Sequence, residues 1–164
     1  MSLGIYVPDL LGSTVFSASF IGLTYGIFTL VWGSMSPIAG AFAEQKGYVK
    51  TLCVGFIGVS LSFYVASSAV DPIHFLFGIG VIGGLSAGVI SVPVIIGGVS
   101  KFYADDKTQS TVTGILMSIA ASGMFIFTPI NQFLVSTYQW SLSFQITSIF
   151  FLFMIPLSLI FLLP

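Results

Sequence analysis

The sequence predicts an all-α protein, a polytopic bundle of transmembrane helices with about five full spans plus the remnant of another. Three observations predict it. First, four Lys and five Asp or Glu are the only charged residues among 164, or 5% of the chain, where soluble domains carry roughly 25%. Second, the apolar stretches run for about 20 residues without strict alternation, the length a helix needs to cross hydrocarbon. Only helices and closed barrels satisfy the backbone in lipid, and barrel strands alternate apolar and polar residues over about ten positions. Third, the lysines fall in alternate loops only.

The elements follow in order. Residues 1–8 form a short apolar remnant that ends at Pro8 and Asp9, too short to cross and without the basic start of a signal peptide. The first full span covers about 15–40, with no charge between Asp9 and Glu44. The second covers about 51–70, the third about 73–100, the fourth about 111–135 and the fifth about 141–163. Lys46 and Lys50 lie between the first and second spans, and Lys101 and Lys107 between the third and fourth. The positive-inside rule makes that side cytoplasmic, puts Asp9 and Asp71 outside, and leaves the C-terminus inside. Both chain ends read as cut from a longer protein, one span short of a six-span unit.

Composition excludes whole classes of function. A mean hydropathy of +1.11 leaves too little polar surface for a soluble enzyme or a disordered segment. Four scattered Lys and no Arg make no basic patch, so no nucleic acid is expected as a partner. Cys53 is alone, which excludes a disulfide framework and a Cys-based metal site. His74, the one His, falls at the outer start of the third span, so no Ser-His-Asp set is expected either. It reads as an interfacial side chain, the alternative being a pH sensor. No enzyme activity and no cofactor are expected. The partners that remain are the lipid bilayer and a small organic solute.

Within the spans the small and neutral polar residues carry the information. Gly80, Gly84 and Gly88 recur every fourth position and form one stripe, which lets helix backbones approach closely in lipid. The stripe reads either as packing or as a sliding seam at a cavity wall. Gly22, Gly26 and Gly33 make a weaker version in the first span. Pro37, Pro93, Pro129 and Pro156 lie within spans, where each removes a backbone hydrogen bond and favours a kink. No charged residue sits mid-span, so no proton relay is expected there. Neutral polar groups within the spans include Thr24, Tyr25, Ser86, Ser91, Ser118, Ser122, Asn131 and Gln132. Asn131 and Gln132 either hydrogen-bond between helices or line a solute path.

Gly40, Glu44, Gly47 and Lys50 are spaced as in the loop between the second and third helices of the major facilitator superfamily, G-x-x-x-[DE]-R-x-G-R-[RK]. Gln45 stands where that family has Arg, and Tyr48 and Val49 replace basic positions. Gly83, Gly84 and Gly88, followed by Val92 and Pro93, resemble the fourth helix of oxalate/formate-antiporter-like and monocarboxylate-porter-like members. Gly114, Gly123, Pro129 and Gln132 resemble the fifth helix of that group. Residues 138–144 resemble the Gly-Trp-Arg-x-x-Phe turn before the sixth helix, with Gln139 for Gly and Ser141 for Arg.

The resemblance spans about residues 5–164 and implies an incomplete N-terminal six-helix half whose C-terminal half is missing. It implies a secondary transporter moving a small organic solute, such as a monocarboxylate or other organic anion, by alternating access. It also implies a multi-pass protein of the plasma (inner) membrane. Gly40, Glu44, Gly47 and Lys50 would act as a conformational latch. Gly80, Gly84, Gly88, Gly114, Gly123 and Pro129 would pack helices or wall the cavity, and Tyr6, Tyr25, Ser118, Asn131 and Gln132 would face the solute. The alternative is a non-transporting scaffold or small oligomeric subunit that packs through Gly80, Gly84 and Gly88. A small channel fits less well, because no ring of charges is present.

Overall fold

The computed structural model describes Val7, residues 17–100 and residues 105–160, all of the regular structure among them helical. Helix α1, Ala18–Lys46, starts at Ser17, whose Oγ accepts a hydrogen bond from the Phe20 amide at 3.3 Å, as an N-cap should. It runs six residues beyond the expected end at 40, because Glu44, Gln45 and Lys46 are good helix formers and nothing stops the helix before Gly47. Pro37 lies inside it without interrupting it. Gly47 alone links α1 to α2, Tyr48–Ser67. The stretch expected as a loop before residue 51 is therefore a single residue. At its far end α2 stops at Ser67 rather than 70, where the Ser67 and Ser68 hydroxyls both donate back to the Tyr64 carbonyl.

The third expected span is composite. It comprises α3, Pro72–Phe75, a π-helical stretch, Leu76–Gly83, then α4, Gly84–Val89, and α5, Val92–Ser100. Pro72 occupies the first turn of α3, where its missing donor costs nothing. The π-helical turn leaves the Gly78 carbonyl to the Ser62 hydroxyl of α2, which donates to it at 2.8 Å. The helix breaks at Ile90 and Ser91. Ser91 starts α5 by accepting from the Val94 amide at 3.0 Å, so Pro93 falls in a first turn and tolerates its place there.

The fourth and fifth expected spans form one helical run, α6, Asp106–Ile160, of 55 residues. Asp105 caps it through its Oδ2, which accepts from the Thr108 amide and hydroxyl. The run is not straight. Phe127 and Phe150 have ring centroids 5.5 Å apart, whereas 23 residues of straight helix would separate them by about 34 Å. The direction reverses midway, near Tyr138 and Gln139, giving a rising arm and a descending arm. The helical backbone continues through 136–140 because that stretch holds no Gly or Pro to end it.

The descending arm lies antiparallel to α2. Ser60 and Ser148 exchange hydrogen bonds reciprocally, each hydroxyl donating to the other's carbonyl at 2.9 and 2.7 Å. Ser141 donates to the Ser67 carbonyl at 2.6 Å, seven residues away along both helices. Phe63 stacks on Phe151 and tilts against Phe144, which also meets Phe75 and Trp140. These rings form the main core with Phe28, Val59 and Ile79, and a smaller cluster of Ala39, Ala43, Val89 and Val94 lies toward Gly47. Large apolar side chains cover the outside, Phe125 at 87% exposure among them, the inverse of a water-soluble surface.

Candidate functional site

The Gly80, Gly84 and Gly88 stripe faces α1 with backbone-to-backbone closeness. A Cβ built on Gly84 would lie 2.9 Å from both the Phe28 carbonyl oxygen and Val31 Cβ, and one on Gly88 would lie 2.6 Å from Met35 Cβ. Gly80 lies less tightly against Thr24 and Ile27. The stripe is covered within the chain, so it offers no face to a second copy of this chain. On the opposite side Gly78 and Gly83 meet Ala66 and Ser62 of α2, while Gly58 of α2 receives Ser86. The composite helix is thus wedged between α1 and α2 by glycines on both flanks. A further polar contact crosses to α1, where Ser36 and Ser91 bring their Oγ atoms to 2.8 Å at the break.

Other glycines face nothing. Gly22, Gly26, Gly33 and Gly40 on α1 have no atom within 4 Å of a built Cβ. Ser19, Gly22, Gly26, Thr29 and Gly33 alternate at steps of three and four along α1, and all five are exposed. Small residues at such spacing are what lets helices approach closely in lipid. Gly114 and Gly123 on the rising arm of α6 are equally open, and the apolar stretch of that arm, Lys107–Tyr138, has none of its most apolar window buried.

The expected path residues that the structure describes are divided between α1 and the rising arm of α6. Tyr25 is half-buried on α1, with its ring 6.3 Å from that of Phe28. Ser118 is exposed, and its hydroxyl donates to the Gly114 carbonyl of its own helix at 2.9 Å. Asn131 is half-buried, Gln132 and Pro129 are exposed, and all three sit on the rising arm. Tyr6 lies outside the described residues. Charged groups keep to the helix ends. At one end Glu44, Lys46 and Lys50 are exposed around Gly47, with no ion pair between Glu44 and Lys50. At the other end His74 Nδ1 lies 3.7 Å from Asp71 Oδ2, both side chains exposed. Among the described residues no three of His, Cys, Asp and Glu come together to hold a metal ion.

The serine contacts between α2 and α6 were not singled out from sequence. Their signal was available in the matching seven-residue spacing of Ser60 with Ser67 and of Ser141 with Ser148, but using it requires knowing that those two helices are neighbours. The π-helical stretch left no sequence signal at all.

Comparison with known proteins adds three findings. The family model described as Major Facilitator Superfamily matches residues 1–164. The chain is 24% identical over 139 residues to the Homo sapiens protein "Monocarboxylate transporter 11", a match covering 85% of this chain and 29% of that protein. It is 26% identical over 105 residues to the Mus musculus protein "Monocarboxylate transporter 12", covering 64% of this chain and 21% of that protein. The chain therefore spans under a third of the length of these curated relatives. No solved structure matches it.

Proposed function

The chain belongs to the major facilitator superfamily, and from that premise we propose that it is part of a secondary transporter that moves a small organic solute by alternating access. The solute class is a monocarboxylate or other organic anion, by analogy with the printed names of the two relatives. The carrying observation is the contrast between covered and open glycines. Gly80, Gly84 and Gly88 are filled by α1, whereas Gly22, Gly26 and Gly33 on α1 and Gly114 and Gly123 on α6 face open space. Small residues in lipid serve close approach of helices, so the open faces are where a second half docks and rocks. Solute then passes between the halves, near Tyr25, Ser118, Asn131 and Gln132, and Tyr6 is a candidate for the same path by resemblance to the family's first helix. An organic anion needs a cation or helix N-termini. The chain has no Arg and no Lys lies midway along these spans, so that charge comes from the second half. Gly40, Glu44, Gly47 and Lys50 form the latch at the cytoplasmic face, with Glu44 meeting a helix N-terminus of the other half.

The test is uptake by the full-length protein in reconstituted vesicles, using labelled short monocarboxylates and their neutral analogues. Saturable uptake of the acids, accelerated by unlabelled acid on the far side, is expected. Gly26→Leu is expected to reduce it with insertion intact. Absence of uptake for every acid sinks the solute class. Unchanged uptake by Gly26→Leu shows that the open face of α1 meets lipid.

A further inference from the structure

An apolar groove of about 240 Å³ opens between α1 and α2 next to Gly47. Met35, Ala39 and Phe42 form one wall, Thr51 and Val54 the other, and Val89 of α4 the floor. Its walls present no free polar group, because the Thr51 hydroxyl is committed to the Gly47 carbonyl at 2.9 Å. It is open to the outside, with Phe42 47% and Val54 63% exposed.

Both walls end in a cation at the same end. Met35, Ala39, Phe42 and Lys46 lie at successive turns of one face of α1, and the Lys46 ammonium sits 5.2 Å from the centroid of the Phe42 ring. Lys50 precedes Val54 by one turn of α2. Neither lysine has an ion-pair partner among the described residues. Glu44 is two residues from Lys46, about 200° around the helix, and so points away from the groove. Two cations at the water end of a slot that presents only apolar surface match one molecular shape, an anionic headgroup above an acyl chain.

We propose that the groove is a binding site for an anionic phospholipid, whose phosphate lies between Lys46 and Lys50 and whose chain lies against Phe42 and Val54. The lipid joins α1 to α2 at their one-residue junction. Lipid labelling requires membrane insertion only, so it is read separately from solute transport, although Lys50 belongs to the proposed latch as well.

The test uses full-length protein in phosphatidylcholine vesicles carrying phosphatidylglycerol with a photoreactive acyl chain, the same label on phosphatidylcholine being the reference. Adducts are mapped by peptide mass spectrometry. Labelling within 35–54 is expected to favour phosphatidylglycerol. Lys46→Gln and Lys50→Gln are each expected to lower that preference about fivefold, and the double variant about 30-fold, given the usual strength of a basic residue at an anionic surface. Lys107→Gln removes the same charge away from the groove and is expected to leave it unchanged. Circular dichroism shows whether each variant keeps its helices. Equal labelling by the two lipids overturns the site, as does an equal drop with Lys107→Gln, which would report general surface charge. Chain–chain adducts in place of lipid adducts would show a protein occupant and overturn it as well.

Discussion

Gly47 joins two helices by itself, with φ 98° and ψ 138°, a region closed to side chains that carry a Cβ. Its amide still reaches the Ala43 carbonyl at 2.9 Å and so closes α1. There is space for a methyl group, since nothing lies within 4 Å of a built Cβ. The cost of Gly47→Ala is therefore backbone strain alone, about 1–3 kcal/mol, and it is expected as lowered resistance to unfolding in a detergent titration of helicity. No loss would mean that the junction adopts another backbone geometry. At the same scale, Ser60 and Ser148 satisfy each other inside hydrocarbon, where an interhelical contact of this kind is worth about 0.6 kcal/mol on average. Such pairs fix register more than they add strength.

Helix α1 and the composite helix meet through glycine, and that contact has little room. Gly84→Ala places a methyl group against a backbone oxygen and a Cβ, neither of which swings aside as a long side chain does. Overpacking of this kind costs about 1–3 kcal/mol. Gly114→Ala, in open space on α6, is expected to cost nothing in the isolated bundle, since alanine is the better helix former. Unfolding of the two variants side by side checks both, and equal stability would place the α1 contact elsewhere. The spans were legible because long apolar runs show without knowledge of packing. Their ends were not. Residues 41–46 read as loop because they end in the polar run Glu44, Gln45 and Lys46, yet those three are good helix formers. The fold-back of α6 keeps helical backbone because Gln139 stands where the resemblance expects Gly. The composite helix looked uniform because π and α turns share the same apolar composition, and the difference lies in which carbonyl Ser62 takes.

Across the whole molecule, the single-residue junction at Gly47 and the reversal of α6 place the helix ends in two layers. Lys46, Lys50 and Lys107 share one layer, and Asp71 and His74 lie in the other. Reporter fusions at Gly47 and Asp106 are expected to read cytoplasmic, and those at Asp71 and Thr137 external. A shared side for Gly47 and Asp71 would mean that α2 does not cross. The candidate site was only partly legible. Composition and spacing picked out the glycines and the Gly47 loop, but which glycines were covered depended on the packing of α1 against the composite helix. Of the residues expected along a solute path, Ser118 and Gln132 lie on surfaces that this chain leaves open, so their roles depend on what meets those surfaces.

The π-helical stretch holds about one residue more per turn than its neighbours, which lets it give up a single codon where an α turn cannot. Removing Val81 in frame would return Leu76–Gly83 toward α geometry and leave Gly84 and Gly88 seated on α1. The residue lost is the one the wider turn had absorbed, so the helix before the deletion would keep nearly its present rotation. Phe75, 3% exposed and 6.2 Å from the Phe144 ring, would stay in the core, while the Gly78 carbonyl, taken back into an α ladder, would no longer be left to Ser62. The same deletion within α4 has no such reserve and would turn one flank by about 100°.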